Sequence, residues 1–166
     1  MVTFIRTAQN QHLLFAAMLA TIFSFIPNTL LAQNFYTWDG FEPDKLASMW
    51  LLQRIVDPEA KIQIVKKNTR IKNFTPFDTP TAKLRRYHSE STYETIIRTF
   101  KVEDSSARCI AKIIHQIEIN IWNADSSYDT QRIKEEIWEI IDTAGDSDAI
   151  IKKSHTYFDK LYGQCR

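Results

Sequence analysis

The chain has 166 residues, 44% of them hydrophobic, with three glycines, five prolines and a formal net charge of +1. That is enough for one domain with one core, and too little glycine and proline for a collagen-like or disordered chain. Removing residues 1–32 takes away one arginine and no acid, leaving 20 basic and 20 acidic residues. A neutral chain with no basic run longer than a pair such as Arg85-Arg86 has no electrostatic footprint for nucleic acid, and no polybasic stretch for a membrane surface.

In chain order, residues 13–26 (LLFAAMLATIFSFI) are an uncharged apolar run of about fourteen residues, the length of a signal-peptide core. The run is shorter than the roughly 20 residues of a membrane span. Ala32 is a suitable residue before a cleavage point. Residues 1–32 are therefore expected to be a signal peptide, and the remainder periplasmic or secreted, with no membrane contact after cleavage. An uncleaved anchor is the alternative. In an oxidising compartment Cys109 and Cys165 could form one disulfide, provided their Cα atoms come within about 7 Å. Two cysteines without a CxxC do not make a zinc site.

Residues 33–43 (QNFYTWDGFEP) read as an aromatic leader with a turn at Asp39-Gly40, and Pro43 favours a helix start. Residues 44–57 follow as a helix, stopped by Pro58. Its composition is unusual: Asp44, Ser48, Arg54 and Asp57 stand among apolar residues on most sides of the helix. Charged groups on a buried helix are costly unless paired or used. Residues 61–66 (KIQIVK) alternate as a short strand with Ile62 and Ile64 on one side. A second strand is expected near 71–75 or 84–88, and Pro76 and Pro80 keep their segment extended or turned.

The rest reads as helical. Residues 92–100 form a short helix. Asp104-Ser105-Ser106 caps the next one, whose core stripe is Ile110, Ile113, Ile114, Ile117 and Ile121. Ile133, Ile137, Ile140 and Ile141 form another stripe, ended by Gly145. Asp146 caps the last helix. The predicted fold class is mainly α: a single helical domain with a small two-stranded β element after the first mature helix.

Several residues could carry chemistry. Asp44 and Ser48 share one helix face, and Arg54 and Asp57 another. They suit a polar pocket or anion site with Arg54 as the donor fork, or equally a helix cap and a structural ion pair. His88 with Glu90 or Glu94 could bind a divalent metal or serve acid–base chemistry, although a histidine in a polar loop is usually solvated. His115 and His155 read as boundary residues. Glu135, Glu136, Glu139 and Asp142 read as a solvated face, and Trp38, Trp50, Trp122 and Trp138 as core or near-core bulk. No nucleotide-binding loop, nucleophile elbow or HExxH motif is present.

Residues 44–60 (DKLASMWLLQRIVDPEA) resemble the signature of the C-terminal domain of the ChrB chromate-resistance family, approximately D-R-I-A-C-P-W-L-I-R-R-F-I-D-P-E-A. Pro76-Phe77-Asp78-Thr79-Pro80 is similar to that family's P-F-D-I-P. Thr92-Tyr93-Glu94 is similar to its T-F-E, and residues 161–166 (LYGQCR) to its L-Y-x-W-C-R ending. Three positions depart. Ser48 and Ser91 stand where the family pattern has cysteines. Arg86 lies nearest its histidine, with His88 displaced by two. Thiol and imidazole are the groups that bind soft metals, so the departures weaken any such chemistry here. The resemblance implies residues 44–166 as a ChrB C-terminal-like domain linked to chromate or metal stress resistance. It would bind a small oxyanion or metal ion through Asp44, Arg54, Asp57 and Glu94, with no catalytic residue assigned. The alternatives are a non-catalytic structural or protein-interaction module on a degenerated domain, and a metal-dependent enzyme using His88 and Glu94.

Overall fold

The computed structural model describes residues 33–119 and 129–165. The expected signal peptide, Ile121 and Trp122 lie outside the described residues. The element order is β1 (Asn34–Trp38), α1 (Pro43–Leu51) continued by a π-turn (Leu52–Val56), β2 (Lys61–Val65), β3 (Thr75–Pro76), α2 (Thr92–Phe100), α3 (Ser105–Glu118), α4 (Thr130–Thr143) and α5 (Ser147–Gln164). The domain is mainly α with a small β element, as the sequence predicts.

The β element differs from expectation in composition and place. It has three parallel strands in the order β2-β1-β3, so the aromatic leader is the middle strand rather than a leader. Phe35 pairs with Ile62 on one side and Thr75 on the other. Short-range alternation could not announce β1. Phe35, Tyr36 and Thr37 are consecutive and all buried, because a central strand is covered on both faces. Phe35 packs edge-on against Phe77 and Phe100, with ring centroids 6.4 and 6.2 Å apart.

Helix α1 is the centre of the molecule, and all nine of its residues are buried. Pro43 opens it and supplies a backbone pre-set for the first turn. Its continuation is wider than α-helical: the Asp57 amide donates to the Leu52 carbonyl at 2.9 Å, skipping one residue more than usual. Trp50 donates from Nε1 to Asp159 on α5 at 2.7 Å, and its ring lies 5.5 Å from that of Tyr162. Helices α2, α3 and α5 all pack on α1.

Helix ends follow the local signals. Asp104 and Asp146 cap α3 and α5. Beyond α4, Gly145 has φ +96, a conformation other residues rarely adopt. Ser91 and Glu94 form a reciprocal capping box at the start of α2. Ser91→Ala is expected to cost about 1–2 kcal/mol in urea unfolding, since it also releases Glu94. Cys109 on α3 and Cys165 after α5 are bonded, with Cα atoms 5.9 Å apart. Trp50 is buried, whereas Trp138 is 39% exposed.

Candidate functional site

Asp44 lies in the first turn of α1, with a side chain that has no exposure. Its carboxylate serves α2 rather than its own helix. It accepts from the Thr92 amide at 2.7 Å and the Tyr93 amide at 2.9 Å, and Ser48 Oγ donates to it at 3.4 Å. The next amide of α2, that of Glu94, donates to Ser91 Oγ at 3.1 Å. The Glu94 carboxylate accepts in turn from the Ser91 amide at 2.8 Å. Side chains therefore accept from the unpaired amides at the start of α2, and Asp44 is the anion that this helix end favours.

Other charges gather round Asp44. Arg86 Nε stands 3.7 Å from it, while Arg86 Nη2 is 2.8 Å from Glu118 and 3.4 Å from Glu42. Asp78 accepts from Thr92 Oγ1 at 2.9 Å and pairs with Lys45 Nζ at 3.4 Å. Lys45 also donates to the carbonyls of Trp38 and Gly40, at 2.9 and 2.6 Å, closing the turn from β1 into α1. Asp78 holds φ +49, a left-handed position that an acidic residue tolerates better than most.

Burial raises the Asp44 carboxyl to about 7, with Asp78 and Glu118 adding repulsion, although the two α2 amides pull the other way. Burial also raises Glu118, against the pull of Arg86. Burial works to lower Arg86, but Glu118, Glu42 and Asp44 outweigh it and hold it above its ordinary value. Above the cluster opens a cavity of about 240 Å³ lined by Glu42, Asp78, Thr79, Pro80, Arg85 and Arg86. Despite its charged neighbours, Arg86 has no acceptor in hydrogen-bonding geometry at Nε or Nη2.

The expected site residues divide. Asp44 and Glu94 both serve the start of α2. Arg54 points to α5 instead, donating from Nε and Nη2 to Asp159 at 3.1 and 3.3 Å, with its side chain 47% exposed. Asp57 accepts from the Gln33 amide at 2.7 Å and the Glu59 amide at 3.0 Å, joining the start of β1 to the turn before β2. It does not pair with Arg54. His88 is exposed, and Glu90 is held by both N–H arms of Arg98 at 3.1 and 3.0 Å. The imidazole that Glu94 meets is that of His115, whose Nδ1 is 3.0 Å from both carboxylate oxygens. Among the described residues no three His, Cys, Asp or Glu side chains group to hold a metal ion.

Sequence reasoning missed Glu42, Lys45 and Glu118 as members of the cluster. A lysine or glutamate on a helix ordinarily reads as solvated, and nothing local marks these three. Arg86 did leave a signal, because it lies nearest a histidine of the family pattern that these residues resemble. The three positions lie close together: Ser48 and Arg86 both contact Asp44, and Ser91 precedes the amides that Asp44 holds.

Fold and site together define a small α-rich domain, with a three-stranded parallel sheet, built round a buried carboxylate–arginine cluster. The chain belongs to the ChrB family: residues 35–165 match ChrB, C-terminal domain. This is a family related to chromate resistance. Neither the search of curated proteins nor that of solved structures found a match.

Proposed function

We propose that this chain is an exported ChrB-type domain that binds a small oxyanion at the Asp44–Arg86 cluster and so contributes to chromate or metal stress tolerance. The observation that carries the reading is Arg86 lining an open cavity, its buried Nε and Nη2 beside Asp44, Glu118 and Glu42 but with no acceptor in hydrogen-bonding geometry. A guanidinium fork matches a tetrahedral oxyanion geometrically as well as in charge. Asp44 supports it: a buried carboxyl raised to about 7 and set beside charged partners under a cleft is a pattern of functional sites. As Asp44 takes up its proton, the cluster loses one negative charge and becomes more hospitable to an anion. Glu42, whose half-exposed side chain lines the cavity, is the group that an incoming oxyanion would displace from Arg86.

The test is calorimetry of the purified protein with chromate, with sulfate as a tetrahedral oxyanion that does not titrate in this range, and with zinc. Sulfate affinity is expected to rise as pH falls from 8 to 6. Arg86→Gln should abolish oxyanion binding, and Arg54→Ala should leave it unchanged. Zinc binding in place of oxyanion binding would favour a metal ligand.

A second reading is a non-catalytic structural module. It is favoured by the complete capping of α2 and by the internal pairing of Glu42, Asp78 and Glu118 with Arg86 and Lys45. Absence of heat with all three ions would leave that reading in place.

A further inference from the structure

We propose that the groove between α4 and α5 is a second site, separate from the Asp44 cluster, for a small organic anion with an apolar body, such as a medium-chain carboxylate. The groove consists of two adjoining cavities, of about 580 and 300 Å³, that share Ile140, Tyr157 and Lys160. The larger falls within the roughly 300–1,000 Å³ of small-molecule sites. Its exposed lining is mostly apolar, from Ile140, Ala149, the Tyr157 ring and the lysine stems.

Charge decides the class of ligand. Lys152, Lys153 and Lys160 line the larger cavity, no acid does, and none of these ammoniums is in an ion pair among the described residues. The nearby Glu136 is already engaged: it pairs with Arg132 and accepts from Tyr157 Oη at 2.8 Å. Asp159, also on α5, is held by Arg54 and Trp50. Glu139 lines only the smaller cavity. An anionic head therefore belongs at the Lys152–Lys153 end, with the apolar body running past Ile140 and Tyr157, away from Glu139. Lys152 and Lys153, in no ion pair among the described residues, complement such a ligand beside the apolar trough and disfavour its cationic counterpart, while Lys160, which also interacts with Glu136, adds positive charge at the far side.

Calorimetry of the full chain with decanoate below its micellar concentration tests this, with decyltrimethylammonium and octyl glucoside as cationic and neutral controls. Decanoate is expected to bind one saturable site and to weaken with added salt, and neither control should compete with it. Replacing the three exposed lysines together (K152Q, K153Q, K160Q) should weaken decanoate roughly tenfold, through the exposed ion pairs at Lys152 and Lys153 and the longer-range attraction of Lys160, with the circular dichroism spectrum unchanged. Thr156→Trp, which fills the trough without altering charge, should block binding. Equal binding of octyl glucoside, no saturable heat with decanoate, or full retention of affinity in the triple variant would overturn the proposal. Saturable binding of an acidic peptide with none of decanoate would overturn it as well.

Discussion

Asp44→Ala is expected to destabilise the domain by about 3–5 kcal/mol at pH 5, and by clearly less at pH 8. The loss at low pH arises at the start of α2. Two buried amides at the start of α2 lose their acceptor, at about 1–3 kcal/mol each. The pH dependence comes from Asp44 itself. Its folded value of about 7 lies above the ordinary 3.8, so between those values the folded state holds a proton that the unfolded state has released. The contribution of this group to stability is therefore complete below about pH 4 and lost as pH rises toward 7. From pH 5 to 8 the loss is at most roughly 3 kcal/mol. The alanine variant has no such loss, and the gap between the two proteins should narrow. Asp44→Asn keeps one acceptor, should cost about 1–3 kcal/mol, and should likewise lack the slope. Urea unfolding at pH 5, 6, 7 and 8 measures this. Parallel pH profiles for the wild type and Asp44→Asn would show that Asp44 titrates in the ordinary carboxylate range. His155 titrates in both proteins, and the difference between them reports Asp44 together with its repulsion of Glu118.

Opening the Cys109–Cys165 bridge is expected to cost about 4 kcal/mol. The bond closes a loop of 56 residues, and chain entropy alone gives about that value for such a length. The bridge ties the first turns of α3 to the end of α5, where Ser106 Oγ also donates to the Cys165 carbonyl at 3.3 Å. Both helices pack on α1, so a freed α5 end would loosen the contacts of Phe158, Leu161 and Tyr162 with the core. The double variant Cys109→Ser, Cys165→Ser should match the wild type treated with reductant, each with a lower urea midpoint. No response to reductant would mean that the cysteines are not bonded in solution. A domain that leans on a disulfide this strongly suits an oxidising compartment, which is the physical content of the proposed export.

The elements that the sequence announced most clearly are those whose signals are local. The alternation at 61–66, the capping box at Ser91 and Glu94, Asp104 and Asp146 before their helices, and the isoleucine stripes all depend on neighbours within about one turn. Each corresponds to an element close to its expected bounds. The middle strand was not legible, because a strand buried on both faces loses the alternation that marks one. The π-turn was not legible either. An extra residue in a turn leaves no mark in composition, yet Arg54, within that turn, meets Asp159 on α5 rather than Asp57.

The candidate site shows the same division. By itself the sequence marked residues 44–60 as charge set among apolar residues, and its resemblance to the ChrB pattern set Asp44 and Glu94 in that framework and Ser48, Ser91 and Arg86 at departures from it. Those conclusions needed only residue identity and order. Only the tertiary structure decided which charges meet. It gave Asp44 to the amides of α2 and to Arg86, gave Arg54 to Asp159, made Asp57 a turn residue, and paired Glu94 with His115. The partner of a buried charge is chosen by which helices pack against it, over separations of tens of residues. A sequence states that such a charge must be compensated, and the fold alone determines by what.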